Sequence, residues 1–201
     1  MLNVVHSDLG NNSLIFYDKI KKYHNTIMVD LGVRSGCSSS IMLEDAEMNQ
    51  NKVIGVDVEN VVDSSVLNHP LYRFIQSDSC KASLNLNNTN ISVLFVDTLH
   101  IKEQVLKELY HWMPLVADGG LVVFHDTNRP LDKNDFRHGR IWDRPEEAIK
   151  SYFNIDTLNT QNDFITVSHF PESWGMTFVE IHKQDPNFGS QVNWSEVLAF
   201  E

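Results

Sequence analysis

Acidic side chains follow five apolar runs of the sequence, and each run has the length and composition of a buried β-strand. The acids at these positions are Asp30, Asp57, Asp78, Asp97 and Asp126. His100 and His125 stand close to the last two acids in sequence. Carboxylates and imidazoles can accept hydrogen bonds, bind a metal ion or take up a proton. The pattern therefore predicts a ligand site where the strands end.

The turn after the first run, VDLGVRSGCSSS (29–40), narrows the choice of ligand. Its glycines, Gly32 and Gly36, have the spacing G-x-x-x-G, whereas a dinucleotide turn requires G-x-G-x-x-G and a phosphate loop requires Lys before Ser or Thr. Two glycines allow a ligand to approach the backbone, and Asp30 favours a cationic group. S-adenosylmethionine has an ammonium, a sulfonium, a ribose diol and an adenine, and it fits this profile. The alternative is a turn whose glycines serve packing alone.

The order of the elements predicts how the acids are brought together. Apolar strand-like runs alternate with helix-like segments, which indicates an α/β fold with a doubly wound, mainly parallel sheet. We expect seven strands in a Rossmann-like arrangement, the last two forming an antiparallel hairpin within 163–183. Asp118, Gly119 and Gly120 are expected to end the helix that begins near residue 102. In such sheets ligands bind at the carboxyl ends of the strands, where the acids lie.

Composition restricts the class of partner. The chain has 201 residues, which suits a single domain spanning 1–201. Its net charge of −11 argues against a nucleic-acid partner, because nucleic-acid binders usually present a basic surface. No apolar run approaches the roughly 20 residues that span a bilayer, and no signal peptide is visible. Only two cysteines are present, so we expect a cytoplasmic protein without a disulfide framework.

Three motifs in order resemble class I S-adenosylmethionine-dependent methyltransferases over about residues 25–185. They are the opening turn, the segment VIGVDVE that contains Asp57, and the segment FIQSDS that contains Asp78. The resemblance implies that Asp57 holds the ribose hydroxyls and that Asp78 reaches the adenine amine. The full set of expected cofactor-binding residues is Asp30, Gly32, Arg34, Gly36, Ser38, Asp57, Val58, Asp78, Ser79 and Asp97.

Two further segments, VDTLH (96–100) and GGLVVFHDT (119–127), narrow the resemblance. They are similar to small-molecule O-methyltransferases grouped with macrolide-sugar methyltransferases and cephalosporin hydroxylase proteins. The resemblance implies O-methylation of a sugar, polyol or phenol, with a divalent cation such as Mg²⁺ bound by Asp97 and Asp126. The family often has a second acid or amide beside the strand-five acid, whereas His125 and Thr127 occupy those positions here.

His100, His125 and Asp97 are the candidates for acid–base catalysis. A neutral imidazole accepts a proton near pH 7, so either histidine could deprotonate an acceptor hydroxyl. Asp97 would bind the metal, and His100 follows it by three residues, so both can face one cavity. Each histidine has a structural alternative as a helix cap or a packed strand-end side chain.

An arginine cluster follows the fifth strand, where this fold places acceptor-binding segments. Four of the six arginines fall within sixteen residues, namely Arg129, Arg137, Arg140 and Arg144. Arginine binds carboxylates and phosphates through paired hydrogen bonds, which favours an anionic acceptor. The alternative is a solvated loop whose arginines pair with neighbouring acids.

The sequence is compatible with other functions. A catalytically silent protein that keeps the cofactor fold and a nicotinamide-dependent oxidoreductase are the two alternatives, and the missing third glycine counts against the second. Within the methyltransferase class, N- or C-methylation and a metal-free mechanism are also possible. A homo-oligomer is expected, because little sequence precedes the first strand to cover the site.

Overall fold

The computed structural model describes residues 9–86, 89–128 and 145–199, together with the backbone of 136–137 and 140–141. One sheet organises this part of the chain, and its strands follow the order β3-β2-β1-β4-β5-β10-β9-β8. Its strands are β1 (Ile27–Leu31), β2 (Lys52–Asp57), β3 (Tyr72–Gln76), β4 (Ile91–Val96), β5 (Val116–His125), β8 (Thr160–Gln161), β9 (Ile165–Phe170) and β10 (Met176–Ile181). A separate two-stranded ribbon is formed by β6 (Phe136–Arg137) and β7 (Arg140–Ile141).

Helices cover both faces of the sheet. They are α1 (Asn12–Ile20), α2 (Cys37–Asn49), α3 (Ser64–Leu67), α4 (Ser79–Ser83), α5 (Lys102–Trp112), α6 (Pro145–Phe153) and α7 (Trp194–Leu198). One core contains buried side chains of α5 and α6, and the other contains those of α1 and α2. Successive residues of β1 alternate between the two cores, Val29 facing the first and Met28 the second. Burial on both faces explains why the strands are almost continuously apolar.

The predicted doubly wound sheet is confirmed. Strands β3, β2, β1, β4 and β5 are parallel, and β10 lies antiparallel between β5 and β9. The main sheet has eight strands in the described residues rather than the expected seven. The additional strand, β8, has two residues and pairs with the middle of β9. Two residues are too few to produce the alternating pattern by which a strand is recognised in sequence.

The expected helix end at Asp118–Gly120 is wrong. Helix α5 stops at Trp112, a 3₁₀ turn (Met113–Leu115) contains Pro114, and β5 has already begun at Val116. Proline has no amide hydrogen, so Pro114 cannot continue the α-helical hydrogen-bond pattern, which accounts for the early end of α5. The glycines instead lie in β5 opposite an irregularity in its pairing with β4, between Ile91 and Val93.

None of the described helices is long and apolar enough to cross a membrane. The sheet topology brings the carboxyl ends of the five parallel strands to one edge of the molecule, where the acids noted above are found.

Candidate cofactor and catalytic site

The opening turn is held in a conformation that glycine permits and other residues resist. Gly32 has φ +87° and Gly36 has φ +100°, and Arg34 between them also has a positive φ, of 48°. A Cβ atom on Gly32 would lie 2.0 Å from the carbonyl oxygen of Asp97. Gly32 therefore allows the end of β1 to contact the backbone that follows β4. Close packing therefore explains at least part of the requirement for glycine at position 32. This is the alternative to ligand binding that the sequence left open.

Asp30 is fully buried beneath this turn. Its Oδ2 accepts hydrogen bonds from the hydroxyls of Ser38, at 2.7 Å, and Ser39, at 2.5 Å. Its Oδ1 is buried and has no hydrogen-bond partner among the described residues. Burial raises the pKa of Asp30 to about 6, despite the two hydroxyl donors. The serines that open α2 thus fix the acid of the turn, and Ser38 directs its hydroxyl to Asp30.

Asp57, at the end of β2, faces the same turn. Its Oδ2 accepts from the backbone N–H of Arg34 at 2.9 Å, and its Oδ1 accepts from that of Glu59 at 3.0 Å. Each carboxylate oxygen has two acceptor positions, so these bonds leave capacity on both oxygens. The neighbouring side chain of Val58 is 63% exposed. This arrangement suits a vicinal diol with an apolar ring beside it.

Asp78 and Ser79 each have a structural role. Asp78 is the N-cap of α4, and its Oδ1 accepts from the backbone N–H of Lys81 at 3.0 Å. Ser79 is buried, and its hydroxyl donates to Glu108 at 2.5 Å. An adenine contact by Asp78 remains a prediction, and the Ser79 hydroxyl is directed into the protein interior.

Four ionisable side chains from the ends of β4 and β5 form one cluster. His100 Nε2 lies 2.8 Å from Asp97 Oδ1 and 3.3 Å from Asp126 Oδ2. His125 Nδ1 lies 3.4 Å from Asp97 Oδ2 and 3.4 Å from Asp126 Oδ1. The predicted catalytic and metal-binding residues are therefore neighbours. One ligand atom from each of Asp97, His100 and Asp126 lies within 4.8 Å of the others.

The pKa values of Asp97 and His125 are shifted by their neighbours in this cluster. Burial alone would raise the pKa of Asp97, but hydrogen bonds and charge from His100 and His125 outweigh burial and hold it well below its usual value. Burial alone would lower the pKa of His125, but the Asp97 carboxylate and the charge of Asp126 raise it above its usual value. Asp97 is thus ionised, and His125 is biased toward its protonated form.

The end of β5 is fixed by a turn between β9 and β10. Asp126 has φ 56°, and the backbone N–H of Asn128 donates to the Trp174 carbonyl at 2.7 Å. Ser173, Trp174 and Gly175 all have positive φ, an uncommon run of left-handed residues. The Trp174 side chain is 50% exposed beside this strand end.

Several expectations fall on residues outside the described part of the chain. Arg129 and Arg144 lie there, and only the backbone is described for Arg137 and Arg140, in β6 and β7. The anionic-acceptor hypothesis therefore stays a prediction.

Comparison with known proteins gives the class of the chain. Residues 29–127 match a family model described as a methyltransferase domain. A search among proteins of curated function finds no matching sequence.

Many solved structures share the fold. CalS11, a TDP-rhamnose 3′-O-methyltransferase of calicheamicin biosynthesis, has a TM-score of 0.57 and 13% identity, covering 84% of this chain and 76% of that chain. PaMTH1, a methyltransferase of Podospora anserina bound to S-adenosylhomocysteine, has a TM-score of 0.59 and 10% identity, with coverage of 87% and 78%. MycE, a methyltransferase of mycinamycin biosynthesis bound to Mg, S-adenosylhomocysteine and mycinamycin VI, has a TM-score of 0.58 and 15% identity, with coverage of 89% and 50%.

The fold, together with the match of residues 29–127 to a methyltransferase domain, indicates an S-adenosylmethionine-dependent methyltransferase. Residues 29–127, about half of the chain, are similar to this methyltransferase-domain family, and one of the structural neighbours, CalS11, is named as a TDP-rhamnose 3′-O-methyltransferase. This finding favours the methyltransferase over the nicotinamide-dependent oxidoreductase that the sequence left open.

Proposed function

We propose that the protein transfers a methyl group from S-adenosylmethionine to a hydroxyl group of a small molecule. The observation that supports this proposal is the cluster of Asp97, His100 and Asp126 at the ends of β4 and β5. A hydroxyl is a poor nucleophile until it loses its proton. An O-methyltransferase therefore needs a group that removes the proton or that stabilises the resulting alkoxide. Two carboxylates and an imidazole at one strand edge can provide it.

The cofactor would lie across the ends of β1, β2 and β3, and it supplies the activated methyl group. Asp57 would accept from the ribose hydroxyls, because both its oxygens retain acceptor capacity. Val58 would cover one face of the adenine, and Asp78 would accept from the adenine amine. The backbone at Gly32 and the charge of Asp30 would position the methionine end. These residues would bind and orient the cofactor. The acceptor oxygen could then lie roughly 3 Å from the methyl carbon, in line with the bond from that carbon to sulfur.

The Asp97, His100 and Asp126 side chains also fit a divalent metal ion. Two carboxylate oxygens suit Mg²⁺ or Mn²⁺, and an imidazole nitrogen in the third position favours a transition metal more than an all-oxygen set would. A bound ion would lower the pKa of a coordinated acceptor hydroxyl. Asp126 would be presented to it by the strained backbone at φ 56°.

A histidine base is the second mechanism that the cluster supports. The side chain of His100 is 14% exposed and that of His125 is 5% exposed, so His100 is better placed to meet an acceptor. A hydrogen bond from His100 Nε2 to Asp97 would hold the ring in the tautomer whose Nδ1 accepts a proton. His125 would then stabilise the ionised Asp97 from its buried side. Nε2 of His100 cannot donate to Asp97 and bind a cation at once, so His100 would act as the base only where it is not itself a metal ligand.

The acceptor is proposed to be a sugar, polyol or phenol. Two proteins that share the fold support this choice, since CalS11 is named as a TDP-rhamnose methyltransferase and MycE was solved in complex with mycinamycin VI. The net charge of −11 disfavours nucleic acid. An anionic acceptor and a homo-oligomeric assembly are retained as parts of the proposal.

The test is methyl transfer from labelled S-adenosylmethionine to a panel of sugar nucleotides, glycosides and catechols, with a matched panel of amines. Each reaction is run with Mg²⁺, with Mn²⁺ and with EDTA. Products that are methyl ethers would support the proposal, and transfer confined to amines or carbon would refute it. Activity that EDTA abolishes and metal restores identifies the metal mechanism, whereas EDTA-resistant activity that His100→Gln abolishes identifies the histidine base.

A further inference from the structure

A buried acid in α5 has hydrogen-bond partners from two distant strand ends. Glu108 is fully buried, and its Oε1 accepts from Ser79 Oγ at 2.5 Å, Thr98 Oγ1 at 2.7 Å and Gln104 Nε2 at 3.0 Å. Its Oε2 is also buried, with no hydrogen-bond partner among the described residues. Three donors converge on one oxygen of a side chain that no part of the proposed chemistry uses.

An acid at this position opposes the packing of its helix. The neighbouring α5 side chains Val105, Leu109 and Trp112 are buried in the apolar core. Removing a carboxyl group from water is unfavourable, and burial raises the pKa of Glu108 although its three donors lower it. An apolar residue would satisfy the helix face at lower cost. The hydrogen bonds of Glu108 therefore point to a requirement other than the stability of α5.

Glu108 connects elements that the sheet itself keeps apart. Ser79 follows Asp78 after β3, whereas Thr98 follows Asp97 after β4. Strands β2 and β1 lie between β3 and β4 in the sheet. The same helix holds the β3 side a second time, because Trp112 Nε1 donates to the Ser79 carbonyl at 3.0 Å. Helix α5 thus fixes the distance between the Asp78 turn and the Asp97 turn.

We propose that Glu108 is a positioning residue that holds the adenine side of the cofactor site in register with the strand end that contains Asp97. This inference rests on the cofactor placement proposed above. In that placement, Glu108 does not contact the cofactor. Its carboxyl group sets the position of the Asp78–Ser79 turn, and loss of its acceptor oxygen releases that turn.

The experiment compares Glu108→Gln and Glu108→Leu by calorimetric titration with two ligands, S-adenosylhomocysteine and 5′-methylthioadenosine. The second ligand has the adenine and ribose but no amino acid. Glutamine keeps an acceptor oxygen for the three donors, so we expect affinity within about threefold of the wild type. Leucine keeps the approximate volume and removes the acceptor, so we expect both ligands to bind about tenfold more weakly, as for one lost net hydrogen bond.

Asp45 provides a matched control. It is also fully buried, and its carboxylate accepts from Asn49 at 2.8 Å and Asn51 at 2.9 Å. Its partner Asn51 directly precedes β2, so Asp45 lies at the opposite end of the strands from the cofactor site. Asp45→Leu is expected to lower the melting temperature and to leave both affinities unchanged, which separates positioning from general loss of stability.

Several outcomes would overturn the inference. Wild-type affinity in Glu108→Leu would do so, as would a loss for S-adenosylhomocysteine that 5′-methylthioadenosine does not share. If Glu108→Leu does not fold, Thr98→Val removes one donor with little change in volume, and a weakening of about threefold for both ligands is then required. Failure of the wild type to bind either ligand would instead refute the cofactor placement.

Discussion

Replacement of Asp30 by asparagine should make the protein more stable at neutral pH and remove one source of its pH dependence. Asp30 is fully buried, accepts from two serine hydroxyls through Oδ2, and has a buried Oδ1 without a partner in the described chain. Asparagine has nearly the same shape. Its Oδ1 can accept from Ser38 and Ser39, and it has no charge to be buried.

The magnitude follows from the pKa of Asp30, which burial raises from 3.8 to about 6. Because the folded-state pKa exceeds the unfolded value, the folded protein binds the proton more tightly. Between about pH 4 and pH 7 the free energy of unfolding therefore falls as pH rises, by about 3 kcal/mol for a shift of about two units. The substitution introduces an unpaired amide donor, which offsets part of the gain, by about 1–2 kcal/mol. We expect Asp30→Asn to be about 1–2 kcal/mol more stable than the wild type at pH 7.5 and less stable at pH 4.

Urea unfolding of both proteins at half-unit intervals from pH 4 to pH 7.5 provides the measurement. Asp63→Asn is the control, because Asp63 is an exposed acid before α3. The reasoning is refuted if the difference between Asp30→Asn and the wild type is constant across this pH range, or if the variant is the less stable protein at pH 7.5.

Three further predictions concern the strand ends. Gly32→Ala should lower the free energy of unfolding, measured by urea denaturation, by about 2–4 kcal/mol. Gly32 has φ +87°, and the new Cβ would lie 2.0 Å from the backbone oxygen of Asp97. An unchanged midpoint would contradict this close approach. His100→Gln should lower kcat by about 100-fold or more and leave the Kd for S-adenosylhomocysteine within about twofold, since His100 would activate the acceptor hydroxyl either as base or as metal ligand. A change confined to Kd would contradict both roles. Asp97→Asn should lower the pKa of His125 in an NMR titration, because the Asp97 carboxylate raises it; an unchanged titration would show that another group is responsible.

The fold was largely predictable because its signals are long and periodic. The apolar runs of β1, β2, β4 and β5 and the helix-like segments between them specify a parallel sheet covered on both faces. What could not be predicted depends on short or local features. Strand β8 has only two residues, and the end of α5 is set by the single residue Pro114 rather than by the glycine pair that follows it.

The candidate site was predictable in part for the same reason. Acids at strand ends can be found in sequence, and the structure places Asp97, His100, His125 and Asp126 in one cluster. Sequence does not reveal which way a side chain faces. The hydroxyls of Ser38 and Ser79 turn inward to Asp30 and Glu108, and these contacts depend on the packing of α2 and α5 rather than on any local pattern.

Glu108 shows this limit most clearly. Its position in α5 has the spacing of a helix residue near an apolar face, and no local motif distinguishes it from a solvated acid. Only the three-dimensional arrangement shows that Ser79 and Thr98, from two different strand ends, donate to the same oxygen.

Calorimetric titration with S-adenosylhomocysteine tests the central claim most directly, namely that the cofactor lies across the strand ends with its ribose on Asp57. We expect the wild type and the control Asp63→Asn to bind with a Kd in the micromolar range. Asp57→Asn should bind at least about tenfold more weakly, because a neutral amide accepts the ribose diol poorly and disturbs the turn at Arg34. Absence of binding in the wild type, or unchanged affinity in Asp57→Asn, would contradict the placement of the cofactor at this site.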